Sequence, residues 1–157
     1  MILIAYASKY GATAEAAKKL AAYLKDAELE IKDLTKDKVD LSRYDRVIIG
    51  GPIYAGSLHS AVKKFVSANQ MVLLDKKLAL YISGVADAKF DHEQLVRVYG
   101  ETLVQHAVSA IRAGYIVDPK KLKFLERFIL EKITGKKEYQ SVFEEEAIKD
   151  LAESILK

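Results

Sequence analysis

The sequence contains no cysteine, no tryptophan and only two prolines among its 157 residues. Without cysteine it can form neither disulfide bonds nor thiolate metal sites, and it has no cysteine nucleophile. No apolar run approaches the roughly 20 residues that a membrane-spanning helix needs. The three histidines (His59, His92 and His106) are too far apart to show metal-ligand spacing, so we expect no dedicated metal site.

The residues that are present are typical of one folded domain spanning positions 1–157. Half of them are hydrophobic and 30% are charged, which is typical of a globular chain and not of a disordered one. No linker rich in Gly, Ser or Pro and no internal repeat divides the sequence. Because Met1 leads directly into an apolar, strand-like run, we expect no signal peptide and a cytoplasmic protein.

The first 24 residues predict a buried strand, a short loop and a helix. Met1–Ala7 is apolar and lacks Gly and Pro, whereas Ala12–Leu24 is rich in helix-favouring Ala, Leu and Lys. Amides at a helix start lack internal partners and carry the positive end of the dipole, which favours a phosphate. An ordinary strand–turn–helix corner is the alternative. The candidate phosphate-binding residues are Ser8, Lys9, Tyr10, Gly11, Ala12 and Thr13.

Two common nucleotide motifs are absent from this loop. It has no G-x-x-x-x-G-K-[ST], which excludes a Walker loop, and no G-x-G-x-x-G, which argues against a dinucleotide turn. What remains is a loop sized for one terminal phosphate.

Strands and helices alternate along the rest of the chain. We expect Ser57 to cap the second helix and Asp91 to cap the third, with Gln94 completing a capping box. Polar and apolar residues alternate in the second strand, which indicates a sheet edge. The predicted strands are Glu28–Asp33, Arg46–Gly50, Lys77–Ser83 and one within Ala107–Val117; the predicted helices are Leu58–Ala68, one from Asp91, Pro119–Thr134 and Glu144–Leu156.

This alternation predicts an α/β fold with a five-stranded parallel sheet that is covered on both faces by helices. Ligands of such sheets bind at the carboxyl ends of the strands, near the point where the strand order reverses. The loops expected there, 8–13, 50–57 and 83–88, contain small residues and no pair of carboxylates. That composition favours a flat ligand held largely by backbone atoms.

The segment Ser8-Lys-Tyr-Gly-Ala-Thr13 resembles the flavodoxin phosphate loop, [ST]-x-T-G-x-T, with Tyr10 in place of the central Thr. Gly50–His59 and Ser83–Ala88 resemble the second and third flavin loops of that family. The resemblance implies FMN as cofactor and a three-layer sandwich with strand order 2-1-3-4-5. It also implies cofactor contacts from Pro52, Ile53, Tyr54, Ala55, Gly56, Ser83, Gly84, Val85 and Asp87.

Within that family, Pro52–Ala61 is similar to the S-I-R-Y-G-x-F-H-S-A segment of menaquinone-dependent protoporphyrinogen dehydrogenases, with Tyr54 replacing their Arg. Ile111–Tyr115, Leu125–Leu130 and Ile133–Gly135 are similar to their C-terminal third, although their longer basic insertion is absent. This implies an FMN-dependent oxidoreductase that oxidises a porphyrinogen-like substrate with a quinone as acceptor. The alternative is a flavodoxin-type electron carrier between redox proteins.

Three of these residues have two interpretations each. Tyr54 can stack on the flavin ring or simply cover the end of the sheet. His59 can pass a proton to a substrate near neutral pH, or be a solvated residue at a helix start. Asp87 can face the cofactor or act as a loop and cap residue.

The segment Lys120–Lys137 carries seven basic and two acidic residues, a net charge of +5. We expect a helix whose core stripe is Leu122, Leu125, Ile129 and Ile133, with Phe124 and Phe128 to one side. It either contacts an anionic membrane surface or an acidic partner, or is an ordinary amphipathic helix. We expect no nucleic-acid binding, since no recognition motif accompanies the charge. The sequence does not predict the oligomeric state.

Overall fold

The computed structural model describes residues 1–135 and 138–157, which form one mixed β-sheet with helices on both faces. The strands are β1 Ile2–Tyr6, β2 Leu29–Asp33, β3 Arg46–Tyr54, β4 Ser57–Leu58, β5 Lys77–Ser83, β6 Ser109–Val117 and β7 Gln140–Phe143. The helices are α1 Ala12–Tyr23, α2 Ser60–Leu74, α3 Asp91–Tyr99, α4 Glu101–His106, α5 Phe124–Thr134 and α6 Glu145–Leu156.

The sheet order is β2-β1-β3-β5-β6-β7, and its first five strands are parallel. Numbered among themselves, those five have the predicted order 2-1-3-4-5, and β2 lies at the predicted edge. Two short strands were not predicted: β7 pairs antiparallel with β6, and β4 forms a hairpin with β3.

Successive residues of the central strands point to opposite faces of the sheet, and both faces are buried. Leu3, Val47 and Leu80 face a core completed by α2, α3 and α4. Ile4 and Ile48 face a second core, completed by α1 and α6. Full burial of each such side chain stabilises the fold by about 1.5–3 kcal/mol. Because both faces of the sheet are covered by helices, the apolar runs of the sequence form the middle layer of a three-layer sandwich.

A close contact between Gly50 of β3 and Tyr81 of β5 connects the sheet to the first turn of α1. A Cβ added to Gly50 would lie 1.8 Å from Cζ of Tyr81, so the tyrosine ring packs directly on the glycine backbone. The buried Tyr81 hydroxyl then donates to the carbonyl oxygen of Thr13 at 3.0 Å. A glycine at position 50 therefore allows the sheet to fix the start of α1.

The predicted start of α2 is wrong by two residues. α2 begins at Ser60, and His59 caps it by accepting a hydrogen bond from the Ala61 amide at Nδ1 (3.1 Å). Ser57 lies instead in β4, opposite Tyr54, because β3 continues beyond Gly50 into the hairpin.

The predicted capping box at Asp91 is also wrong. Phe90 is the N-cap of α3 without a side-chain hydrogen bond, while Asp91 and Gln94 both accept hydrogen bonds from Arg112 of β6. The buried guanidinium of Arg112, which is distant in sequence, binds the two side chains that were predicted to cap the helix.

The fifth helix departs most from expectation. α5 begins at Phe124 and not at Pro119, and none of its residues is buried. Leu125, Ile129 and Ile133, predicted as a core stripe, are 66%, 50% and 60% exposed. The helix lies over the ends of the strands and not on the face of the sheet. Lys136 and Lys137 of the predicted basic segment lie outside the described residues.

Candidate functional site

A cavity of about 200 Å³ opens at the carboxyl ends of β1, β3 and β5. It is the place where the strand order predicts a ligand. The structure brings residues of all three predicted loops to its wall: Lys9, Tyr10, Ala12, Thr13, Pro52, Ile53, Tyr54, Ala55, Ser83, Gly84 and Val85. Four other predicted contacts (Ser8, Gly11, Gly56 and Asp87) and His59 are not among the lining residues.

The loop after β1 is shaped to present the start of α1. Gly11 has a φ of 98°, in the left-handed region, and its amide donates to Ser8 Oγ at 3.1 Å. No side chain caps α1, so its first amides keep their hydrogen-bonding capacity. Ser8 and Gly11 thus shape the loop without lining the cavity.

Two buried hydroxyl groups lack hydrogen-bond partners, and both belong to the cavity wall. Thr13 Oγ1 and Ser83 Oγ are inaccessible to solvent and unpaired, although their side chains are able to donate and accept. An unsatisfied buried polar group costs about 1–3 kcal/mol. A ligand that brings a phosphate to Thr13 and a polar ring edge to Ser83 offsets this cost, so these residues fit FMN.

The second loop is a tight hairpin. Ala55 and Gly56 have φ values of 49° and 75°, the positive pair that a two-residue type I′ turn between β3 and β4 requires. Ala55 is the one described non-glycine residue with positive φ, a conformation that costs energy and is concentrated at ligand sites. The turn places Tyr54 at the rim of the cavity.

The rim carries a cluster of Lys9, Tyr10 and Tyr54. Lys9 Nζ lies 3.6 Å from the ring centroid of Tyr54, within cation–π distance. The Tyr10 and Tyr54 rings meet edge to face, with centroids 6.4 Å apart. Lys9 thus covers one face of Tyr54, and the predicted stacking on a flavin stays a prediction.

Glu126 of α5 completes this cluster. Its carboxylate accepts a hydrogen bond from the Tyr10 hydroxyl at 2.5 Å and lies 3.5 Å from Lys9 Nζ. Hydrogen bonds from Tyr10 and Tyr54 lower the pKa of Glu126 to about 2. The same carboxylate raises the pKa of Tyr54 to about 12. The carboxylate is therefore ionised at the cavity mouth, where the sequence had suggested Asp87 as the acid near the cofactor.

The wall opposite the first two loops is apolar and comes from the end of β6, the turn 118–123 and α5. Its side chains place a hydrophobic surface across from the first two loops, as a flat aromatic ligand requires. The sequence placed part of this helix in the core, so its role as a wall of the site was missed. The residues are Tyr115, Ile116, Val117, Leu122, Ile129, Leu130 and Ile133.

Arg112 holds the third loop in place. Its guanidinium is buried and donates to the Gly84 carbonyl oxygen at 2.7 Å and to Asp91 at 2.6 Å, as well as to Gln94. It therefore joins the loop after β5 to α3. A lone arginine in an apolar strand is the signal that sequence reasoning overlooked.

Two predicted side chains have structural partners outside the cavity. His59 caps α2 through Nδ1, and its amide donates to the Pro52 carbonyl oxygen at 3.2 Å. Asp87 caps the short turn Ala88–Phe90 by accepting from the Lys89 amide at 3.1 Å. Asp87 thus acts as a loop and cap residue, the second of the two roles considered for it. Proton transfer by His59 stays a prediction.

Comparison with known proteins agrees with this geometry. A family model described as flavodoxin domain matches residues 3–142. The two-electron-reduced flavodoxin of Megasphaera elsdenii is similar at 20% identity and TM-score 0.62, over 99% of this chain and 98% of that one. Oxidised flavodoxin 2 of Bacillus cereus is similar at 21% identity and TM-score 0.64, over 99% and 97%.

A flavodoxin of Fusobacterium nucleatum bound to flavin mononucleotide is similar at 16% identity and TM-score 0.56, over 99% of this chain and 96% of that one. No curated protein sequence matches the chain. At these identities the structural likeness concerns the fold.

Proposed function

The chain belongs to the flavodoxin domain family, and from that premise we propose that it is an FMN-binding oxidoreductase. The observation that carries the proposal is the pair of unpaired, buried hydroxyl groups of Thr13 and Ser83 on the wall of one cavity at the strand ends. The F. nucleatum flavodoxin, which has the same fold, is described as bound to FMN.

In this proposal, each part of the site has a separate task. The first amides of α1 and the Thr13 hydroxyl bind the phosphate, with Ser8 holding the loop in shape. Ser83, Gly84 and the Tyr54 side chain flank the ring. FMN supplies the redox chemistry, while the protein orients the cofactor. The apolar wall that includes α5 limits the access of water to it.

The proposed reaction is oxidation of a porphyrinogen-like substrate with a quinone as electron acceptor. The resemblance of Pro52–Ala61 to protoporphyrinogen dehydrogenases supports it. The apolar wall formed by Leu122, Ile129, Leu130 and Ile133 suits a lipophilic reactant close to the flavin. We infer a cytoplasmic protein that meets the inner face of the membrane through the basic segment 120–137.

The alternative is an electron carrier between redox proteins. The size of the cavity favours it: about 200 Å³ is below the range of about 300–1,000 Å³ that is typical of ligand pockets. Such a volume leaves little space for a second substrate beside the flavin.

Identification of the cofactor tests the shared premise. The protein is purified, its cofactor is released by denaturation and separated by chromatography, and apoprotein is titrated with FMN, FAD and riboflavin. We expect FMN in the released fraction and tighter binding of FMN than of FAD. A colourless protein that fails to take up added FMN would show the proposal to be wrong.

Redox behaviour separates the enzyme from the carrier. Fully reduced FMN is an anion, and one unit charge about 8 Å from the ring is worth roughly 2 kcal/mol at an effective dielectric of 20. Lys9 at the rim offsets Glu126, so we expect two closely spaced one-electron steps and rapid reoxidation by a soluble quinone. Two widely separated steps, with a very low second potential and no reaction with quinones, would favour the carrier.

A further inference from the structure

We propose that the outer face of α5, together with the turn 118–123 that precedes it, docks on an anionic lipid surface. This inference deepens the proposed function by naming the chemistry of a partner. It rests on the peripheral location proposed above, but not on the flavin chemistry. No helix in residues 1–135 and 138–157 combines the length and apolarity needed to span a bilayer, so the contact concerns a surface.

Large apolar side chains are exposed to solvent on one face of α5. Phe124 is 82% exposed, Leu125 66% and Phe128 49%, and no residue of α5 is buried. Single exposed apolar residues are ordinary, but three within five positions form a patch of the kind that marks an interaction site. The fold leaves this face of the helix without a covering element among the described residues.

The residues around that patch carry a net positive charge. From Lys120 to Gly135 there are five basic and two acidic residues, a net charge of +3. One of the two acids, Glu126, is turned towards the cavity, and its side chain is only 10% exposed. Lys132 Nζ lies 4.7 Å from the ring centroid of Phe128, so a basic group borders an exposed aromatic ring. The outer face is therefore more basic than the helix as a whole.

A third feature favours lipid over an acidic protein. A hollow of about 310 Å³ opens beside the patch, lined mainly by apolar residues such as Pro119, Phe124 and Phe128 and bordered by one basic and one acidic residue, Arg127 and Glu131. An apolar hollow next to cations matches an amphiphile, whose chain enters the hollow while its anionic headgroup meets the basic side chains. An acidic protein surface supplies the charge but no apolar group for the hollow.

Docking through this face also has a geometric consequence for the site. The hollow and the cofactor cavity share Val117, Leu122 and Leu130 as lining residues, so one layer of side chains from β6, the turn 118–123 and α5 separates them. A membrane bound at the outer face would therefore lie close to the apolar wall of the cofactor site.

Vesicle flotation tests the inference. The purified full chain is mixed with vesicles of phosphatidylglycerol and phosphatidylcholine, or of phosphatidylcholine alone, at low and high salt. We expect flotation with the anionic vesicles only, and at least a tenfold weaker partition at high salt because exposed charges are screened beyond about 8–10 Å.

Two matched double variants make the test specific. Phe124→Ser with Lys121→Glu should reduce flotation at least tenfold, while Met71→Ser with Lys64→Glu should not. The control also replaces a well-exposed apolar residue, since Met71 is 76% exposed, and it changes the charge equally, but on α2. Near-native circular dichroism of both variants shows that they fold.

The inference is overturned by failure to float with anionic vesicles at low salt, by equal flotation with neutral vesicles, or by equal losses in the two variants. The cofactor assay is read separately on the same preparations. Flotation of a protein that does not bind FMN would leave the docking inference standing and contradict the proposed function. FMN binding without flotation would support the proposed function and contradict the docking inference.

Discussion

The Tyr10 hydroxyl and the Glu126 carboxylate are 2.5 Å apart, although 116 residues separate them in the sequence. Because α5 has no buried residue, its position over the cavity depends on this hydrogen bond and on the apolar contacts of its inner face. The Lys9–Glu126 ion pair at 3.5 Å joins the same loop to the helix. Closure of the site is therefore coupled to the loop that we assign to the phosphate.

The negative charge of Glu126 predicts that Glu126→Gln, whose amide oxygen can still accept the hydrogen bond from Tyr10, binds FMN more tightly. The substitution removes a negative charge near the expected phosphate, and one charge pair about 8 Å apart at an effective dielectric of 20 is worth roughly 2 kcal/mol. We expect affinity to rise about tenfold after screening by solvent. Riboflavin, which lacks the phosphate, should bind equally to both proteins in fluorescence titrations. Glu131→Gln, on the same helix, is the matched control, and a riboflavin effect as large as the FMN effect would contradict the electrostatic reason.

The pH dependence of that difference follows from the pKa of Glu126. Since that pKa is lowered to about 2 from 4.5, the carboxylate remains charged throughout the neutral range. Its contribution to folding is fully present above about pH 4.5 and is lost as the pH falls towards 2. A phosphate monoester gains its second charge near pH 6. The ratio of FMN affinities, Glu126→Gln over wild type, should therefore increase from pH 5 to pH 8. A ratio that is constant or falls would show that the two charges do not interact.

The unpaired hydroxyl groups predict opposite effects on stability and on binding. Thr13→Val and Ser83→Ala remove polar atoms that have no partner in the protein, so the apoprotein should be as stable as wild type or slightly more stable. FMN binding should weaken, by about 1.5–3 kcal/mol where the hydroxyl meets the charged phosphate. Thermal unfolding with and without FMN measures both quantities, and Ser67→Ala, at an exposed position of α2, is the control. Unchanged affinity in both variants would place the phosphate and the ring elsewhere.

Arg112 is predicted to position the third loop. Arg112→Met leaves the Asp91 carboxylate, which is 27% exposed, and the Gly84 carbonyl oxygen without their donor, and losing a hydrogen bond to a charged group costs about 1.5–3 kcal/mol. Adding Asp91→Asn should restore part of the stability to denaturant, because no unpaired charge remains. FMN affinity should stay low in the double variant, since the loop has still lost its hydrogen bond. Recovery of both together would show that Arg112 contributes to stability alone.

The contact between Gly50 and Tyr81 predicts a strict limit on side-chain size. In Gly50→Ala the new methyl group would meet the tyrosine ring, whose Cζ lies 1.8 Å from the Cβ position. Overpacking of this kind costs about 1–3 kcal/mol or more. Urea denaturation should show the loss, and Tyr81→Leu in the same chain should recover part of it. A Gly50→Ala protein as stable as wild type would mean that the strands shift easily at this position.

The sequence predicts the central sheet well because each of its strands is encoded by a short run of apolar residues that are neighbours in the sequence. Arg46–Gly50 and Lys77–Ser83 are short apolar runs next to glycine, and both appear as buried parallel strands. The four residues of β7 were missed because a short, half-polar strand has no such pattern. Its pairing with β6 depends on contacts distant in sequence.

The position of α5 illustrates a different limit. The spacing of Leu125, Ile129 and Ile133 correctly indicates a helix with an apolar stripe, but it contains no information about the surface that the stripe meets. Glu126 and Arg112 escaped notice for the same reason. Their partners, Tyr10 and Gly84, are brought to them only by the fold.

Val117 and Gln140 are paired neighbours on β6 and β7, so the chain leaves the sheet and returns to it at one point. The length of chain between these two residues therefore does not alter the register of any parallel strand. Mutation can lengthen or shorten this segment without moving a parallel strand, provided that a partner for Tyr10 and Lys9 of the first loop is kept. Access to the site and choice of partner can thus evolve without a change in the parallel sheet.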